Sequence, residues 1–175
     1  MKLLKLPLRI QKIFLVSDLQ TTYYKTPIGT AKIIGNENGI QSVSVLDDAI
    51  ETSTKVPSCL QNCVTQLDEY FVGTRTEFNL KLNPQGTVFQ KSVWNELLNI
   101  PFAKSRTYLE QTKQIGDPKA IRAVASANGK NPIWIIIPCH RVIGSDGSLT
   151  GYAGGVWRKK WLLEHESGCK QQSLF

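Results

Sequence analysis

Residues 132–138 read Pro-Ile-Trp-Ile-Ile-Ile-Pro, a run that would be apolar on both faces of an extended chain. Such a run has to be covered on both sides, so the rest of the chain must build layers around it. The spacing predicts a buried strand, and Pro138, which has no N–H to offer a sheet ladder, ends it. Cys139, His140 and Arg141 then follow in immediate succession. A thiol, a titratable imidazole and a fixed cation thus sit where side chains are firmly held. Three readings stay open: a nucleophile with its base, a metal site, or ordinary residues at a strand edge. The thiolate is the nucleophilic form, and Arg141 with its basic surroundings would favour it. His140 is the candidate base. Adjacent side chains on extended backbone point apart, so direct contact is not assured and a bridging water would solve the geometry.

At 175 residues the chain can form one domain, or one domain with a small N-terminal companion, and can bury a core without staples. The apolar run at residues 13–16 is too short for a signal peptide or a membrane span, and no other stretch would cross a bilayer, which predicts a cytoplasmic protein. The cysteines are Cys59, Cys63, Cys139 and Cys169. Cys59 and Cys63 share a helix face, but their spacing is not that of a zinc knuckle, and His140 and His165 lie far along the chain. They are read as small buried apolar residues rather than ligands or a disulfide. The net charge of +7 is uneven: residues 1–85 hold 9 Lys and Arg against 8 Asp and Glu, and residues 86–175 hold 12 against 6. The basic excess therefore lies in the half carrying Cys139, as expected for a surface that faces nucleic acid.

Residues 23–47 alternate short β-rich runs with turn signals at 27–29 and 36–39, which predicts a hairpin or meander. Leu60, Val64, Leu67 and Phe71 have helical spacing, with Gly73 as a stop. Residues 76–82 read as a further strand, and residues 84–87 as a linker dividing a first domain, 1–85, from a second, 86–175.

The second part opens with a helical stripe of Val88, Phe89, Val93, Trp94, Leu97 and Leu98, ended by Pro101. Thr107 and Glu110 fit a capping box, and Gly116 closes a helix of about two turns. Asp117 and Pro118 start the next helix. Two short helices joined by a tight turn make a helix-turn-helix candidate. Ile121, Val124 and Ala125 can face the core, while Arg122 and Ser126 lie opposite, flanked by Lys119 and Lys130. Alanines 120, 123, 125 and 127 keep this helix slim enough to approach a DNA groove. A last helix is predicted over 156–166, with Gly168 as its stop and Val156, Trp157, Trp161 and Leu162 inward. Glu166 at its C-terminus opposes the helix dipole and calls for a partner, for which His140 is a candidate. The glycine-rich residues 151–155 could wrap a substrate closely.

Taken together, NPIWIIIPCHRVIGSDGSLTGYAGG, with GTVFQKSVWNELLNIP and GDPKAIRAVASANGKNP upstream and RKKWLLEHE downstream, resembles the O6-alkylguanine-DNA alkyltransferases, the methylated-DNA–protein-cysteine methyltransferases. The likeness covers residues 86–168 closely, and TPIGTAKI and LDEYFVGTRTEF more loosely. It implies an α/β N-terminal domain of ribonuclease-H-like type and a mostly α C-terminal domain with a winged helix-turn-helix. It also implies a monomer that binds duplex DNA, flips O6-alkylguanine into a pocket and moves the alkyl group to its own cysteine, once per molecule, with O4-alkylthymine as a further substrate. No metal or organic cofactor is implied, and the histidines of the family's zinc-containing members are missing.

By matched position, Cys139 would be the acceptor, deprotonated by His140 through a water, with Glu166 orienting His140. Asn131 would hydrogen-bond near the active-site turn, and Tyr108 would donate a proton towards the guanine ring. Arg122 would fill the gap left by the flipped base, with Lys119, Ala123, Ser126, Ala127 and Lys130 on the DNA face. Tyr152 and Ala153 would line the base pocket, and Lys159 would support its lid. The sequence departs from the family pattern at Gln111 and Thr112, where an apolar residue and an alanine are usual. It departs also at Trp134, which would narrow the pocket, at Ala153 in place of a serine, and at the bulky Val156-Trp157. A non-catalytic damage-binding relative would lack Cys139. A winged-helix transcription factor or a cysteine hydrolase would leave either the thiol or the arginine-bearing helix unexplained.

Overall fold

The computed structural model describes residues 18–48 and 50–168. Cys169 and the basic segment 1–17 lie outside the described residues.

The predicted meander is an antiparallel sheet in the order β1 (Gln20–Thr26), β2 (Gly29–Asn36), β3 (Gly39–Leu46). Two-residue turns join the strands, and Gly29 and Gly39, at φ +125° and +127°, take backbone conformations that a side chain would resist. Helix α1 (Ser58–Phe71) packs on this sheet with Leu60, Cys63, Leu67 and Tyr70 inward. Cys63 is buried as expected, which pushes its thiol up to about 12, while Cys59 is half-buried.

Residues 76–82 do not form the predicted strand. Only Leu82 bridges, to Ile40 on the outer edge of β3, through Ile40 N to Lys81 O at 2.8 Å and Asn83 N to Ile40 O at 2.7 Å.

The second part is mostly helical: α2 (Val88–Leu97), α3 (Tyr108–Ile115), α4 (Ile121–Gly129) and α5 (Val156–Ser167), with β4 (Arg106–Thr107) paired in parallel to β5 (Val142–Ile143). An α/β first part and a mostly α second part are thus as expected. Thr87 and Thr107 each cap their helix in a reciprocal box, with Gln90 and Glu110. Gly116 and Gly168 close α3 and α5 in the left-handed conformation. Residues 118–120 form a 3-10 turn, so the α-helical part of the second helix-turn-helix element begins at Ile121.

One continuous core joins both parts, running from Ile33, Val43, Leu60 and Leu67 through Trp94, Leu97 and Ile100 to Ile133, Ile137, Val142 and Leu162. Each such side chain contributes roughly 1.5–3 kcal/mol on burial. The inward face of α5 differs from the predicted stripe. Val156 and Trp157 are exposed, Trp157 by 54%, and the buried positions are Arg158, Lys159, Leu162 and Glu166. Arg158 satisfies its guanidinium on Ile28 O, Gly154 O and Asp47, and lays it 4.4 Å from the centre of the Trp157 ring. Val88, Phe89 and Leu98 are likewise exposed, leaving Val93, Trp94 and Leu97 to pack α2. Among the described residues, no helix is long and apolar enough to cross a membrane.

Candidate active site

The run at 132–138 is a succession of tight turns, not a strand. Only Ile133 touches the sheet, through Val43 N to Pro132 O and Trp134 N to Val43 O, both 2.9 Å. Ile136 N then bonds Trp134 O at 2.8 Å around Ile135, whose φ is +71°. That is a γ-turn of the strained hand, at a β-branched residue. Ile137 N reaches back to Ile133 O at 3.0 Å. Cys139 N closes a second three-residue turn on Ile137 O at 2.8 Å around Pro138, at φ −84° and ψ 60°. Cys139, His140 and Arg141 form one turn of 3-10 helix. A left-handed Ile costs on the order of 1–3 kcal/mol and persists only where its surroundings over-determine it. Here Ile135 is 1% exposed, and Asn131 holds both ends of the turn. Asn131 Oδ1 accepts from Ile133 N at 3.0 Å, and its Nδ2 donates to Ile137 O at 2.8 Å and lies 3.1 Å from Cys139 Sγ.

Cys139 is buried, and burial pushes its thiol up to about 11 against the opposing pull of the Asn131 hydrogen bond and the Lys159 charge. Arg141 does not serve the thiolate as expected. Its guanidinium is committed to Glu166 and to Ile100 O, at 2.6 Å, and the nearby cation is that of Lys159.

His140 is fully buried, and its Nε2 lies 2.8 Å from Glu166 Oε1, so the partner inferred for Glu166 is the one observed. Burial would raise the Glu166 carboxyl, but hydrogen bonds from His140 and Arg141, the charge on His140 once acid protonates it, and the charge on Arg141 outweigh it and hold the group at about 2. An ionised acceptor requires Nε2 to carry the hydrogen, which leaves Nδ1 as the acceptor. His140 Nδ1 is buried and has no protein partner. Burial keeps the ring below its ordinary value and therefore neutral, against the pull of Glu166.

Glu166 collects more donors than the sequence suggested. Oε1 accepts from Tyr70 Oη at 2.9 Å and Arg141 Nη2 at 3.0 Å besides His140. Oε2 accepts from Arg141 Nε at 2.9 Å and from the Ala103 amide at 3.1 Å. Ala103 adopts φ +57° in presenting that amide.

A cavity of about 630 Å³ opens between α4 and the 144–153 loop. Tyr108, Ile121, Arg122, Ala125, Tyr152 and Ala153 are among its lining residues. Ile121 and Ala125 thus face the cavity rather than the core. The β4–β5 pair fixes the exit of the cysteine turn beside Thr107, the cap of α3, and so places Tyr108 near the thiol. Tyr108 Oη reaches Thr150 O at 3.3 Å, and Lys159 Nζ ties Val142 O, at 2.6 Å, to Thr150 O, at 2.9 Å. Tyr152 has a buried hydroxyl without a protein partner. Trp134 packs on Tyr152, with ring centres 5.6 Å apart, and against Gly154, where a Cβ would come within 2.6 Å of its ring. It stands behind Tyr152 and is not part of the cavity lining.

Arg122, Lys119, Ala123, Ser126 and Lys130 are exposed, as expected of one surface. Ala127 is not: it is 3% exposed, packed with Val93 and Val124, and its carbonyl accepts from Trp94 Nε1. Gln111, at a position where an apolar residue was usual, is buried and pairs reciprocally with Asn128, at 3.1 and 2.6 Å. Thr112 turns its hydroxyl onto Tyr108 O at 2.6 Å. Both departures therefore bring their own partners. Among the described residues, no group of three or more His, Cys, Asp or Glu side chains could hold a metal ion.

Two family descriptions match consecutive stretches of the chain: "6-O-methylguanine DNA methyltransferase, ribonuclease-like domain" over residues 19–84, and "6-O-methylguanine DNA methyltransferase, DNA binding domain" over residues 88–168. The methylated-DNA–protein-cysteine methyltransferase of Methanosarcina acetivorans is 46% identical over 153 residues, covering 83% of this chain and 97% of that protein. The crystal structure of Mycobacterium tuberculosis O6-methylguanine methyltransferase superposes with a TM-score of 0.78 at 42% identity, over 89% of this chain and 97% of that one. That of M. tuberculosis OGT in complex with DNA gives 0.77 at 45% identity, over 85% and 93%. The chain belongs to the 6-O-methylguanine DNA methyltransferase family.

Proposed function

We propose that this protein repairs duplex DNA by direct reversal, moving the alkyl group of O6-alkylguanine onto Cys139 in a single irreversible turnover. The observation that carries the reading is the joint placement of a turn-held thiol, a neutral imidazole with a free Nδ1, and a cavity between an arginine-bearing helix and a glycine-rich loop. A thiol held near 11 is ionised in roughly one molecule in ten thousand at neutral pH, so transfer needs a base. His140 Nδ1 takes the proton through a water, and Glu166 fixes the ring and tautomer that make this possible. The sulfur lone pair then attacks the alkyl carbon in line. The C–S bond forms as the C–O6 bond breaks, and the electron pair leaves on the guanine.

Burial raises the Tyr108 hydroxyl, which keeps it protonated and able to donate to the departing base. Asn131 orients the sulfur. The cavity lined by Tyr152 and Ala153 receives the base, with its loop supported by Lys159. Arg122, on the exposed cavity rim, takes the vacated place in the duplex, since O6 cannot be reached in a stacked pair. Lys119, Ala123, Ser126 and Lys130 meet the DNA. Trp134 braces Tyr152 from outside the cavity. O4-alkylthymine fits the same chemistry.

The protein acts as a monomer and without a cofactor, in two units divided near residue 85, a reading supported by the family matches that end at 84 and resume at 88. The free thiols of Cys59, Cys63 and Cys139 suit the reducing cytoplasm. The test is intact and peptide mass spectrometry after mixing with a duplex that carries O6-methylguanine. One methyl group on Cys139, absent in Cys139→Ala, is expected. DNA binding with an unmodified Cys139 would refute the reading.

A further inference from the structure

Tyr70 reaches from α1, in the first half of the chain, to the carboxylate beneath His140. Its ring is fully buried, packed on Phe78, Phe102 and His165, and its hydroxyl donates to Glu166 Oε1. That oxygen already faces His140 Nε2 and Arg141 Nη2. A carboxylate oxygen has two lone pairs, so three donors must share it. What Tyr70 draws from Oε1 is withdrawn from His140.

We infer that Tyr70 is a positioning residue that sets, through Glu166, how strongly His140 holds a proton. The inference rests on the reading of His140 as the base for Cys139. The charged and titratable groups around this centre come from every packed element: Tyr70 from α1, His140 and Arg141 from the 3-10 turn, Lys159 and His165 from α5, and Tyr152 from the substrate loop. Arg141 and Lys159 oppose a charge on His140, and Glu166 favours it. The Tyr70 hydroxyl therefore weakens the group that would lock His140 as imidazolium, and so keeps Nδ1 available at lower pH. The first half of the chain thereby contributes a hydrogen bond to the proton relay.

The test uses full-length Tyr70→Phe, which keeps the ring and removes the hydroxyl. Single-turnover methyl transfer from an O6-methylguanine duplex is followed from acid to alkaline pH, together with the 1H–15N signals of the His140 imidazole. The expected result is an acid limb displaced upward by about 0.5–1 pH unit, with a matching shift in the imidazole titration and little change on the alkaline plateau. In a Glu166→Gln background the same substitution leaves the profile where it was. Profiles that superimpose on wild type, a uniform loss of rate without a shift, or a shift that survives in Glu166→Gln would each overturn the inference. If wild-type Cys139 gained no methyl group at any pH, the functional reading would fall, and the imidazole titration alone would still decide the role of Tyr70.

Discussion

Replacing Glu166 by glutamine keeps the shape of the side chain and removes its charge, which leaves the buried Arg141 guanidinium without its counter-ion. Removing one partner of a buried ion pair costs about 3–5 kcal/mol. A second route gives a similar figure. The Glu166 carboxyl moves from 4.5 to about 2 on folding, and at 1.36 kcal/mol per unit this is worth roughly 3 kcal/mol. Because the folded value is the lower one, this stability is complete above the unfolded value of 4.5 and is lost as pH falls towards 2. Urea unfolding of wild type and Glu166→Gln should therefore differ by about 3 kcal/mol at pH 7, with the two curves converging as the pH approaches 2. A gap below about 1 kcal/mol at pH 7, or one that stays constant down to pH 2, would refute the account of Glu166 as a fully satisfied buried anion.

Asn131→Ala frees both the Ile137 carbonyl and the sulfur, so Cys139 should react more slowly with an uncharged thiol reagent, its apparent pKa rising above about 11 in a reactivity-against-pH profile. Because His140 stays neutral below its ordinary 6.5, wild-type transfer should hold its rate as pH falls through that value and decline only at lower pH, as single-turnover kinetics would show. Arg122→Ala should weaken repair of duplex far more than repair of single-stranded substrate; equal loss on both, measured side by side, would count against its place in the helix. Gln111→Leu strands the Asn128 amide and should cost about 1–3 kcal/mol in urea unfolding, recovered in part by adding Asn128→Met.

Local chemistry was legible in the sequence where a residue acts on its own neighbours. The Thr107–Glu110 box, the Gly116 and Gly168 stops and the misplaced charge of Glu166 all carry their reason within one helical turn. The run at 133–137 misled because β-branched residues speak for a strand, whereas the turns are imposed by Asn131 and by the surrounding core. The inward face of α5 misled because hydrophobic periodicity does not register Arg158 and Lys159, whose buried heads find carbonyls on other segments. Ala127 gave no signal of its own, since an alanine fits a groove-facing surface and a packed seam equally well. Tyr70 and Ala103 were invisible as partners of Glu166 because 96 and 63 residues separate them from it.

Glu166 draws its donors from α1, from the loop after α2 and from the cysteine turn, which meet only when chain segments distant in sequence have already docked. Such contacts carry a high loop-closure cost. The Asn131 turn around Cys139 closes on nearby residues, but the donor set of Glu166 is complete only in the docked chain. An isolated second half of the chain would keep Cys139, His140 and Glu166 but lose the Tyr70 hydroxyl, so the halves cannot be parted without changing the hydrogen bonding beneath His140.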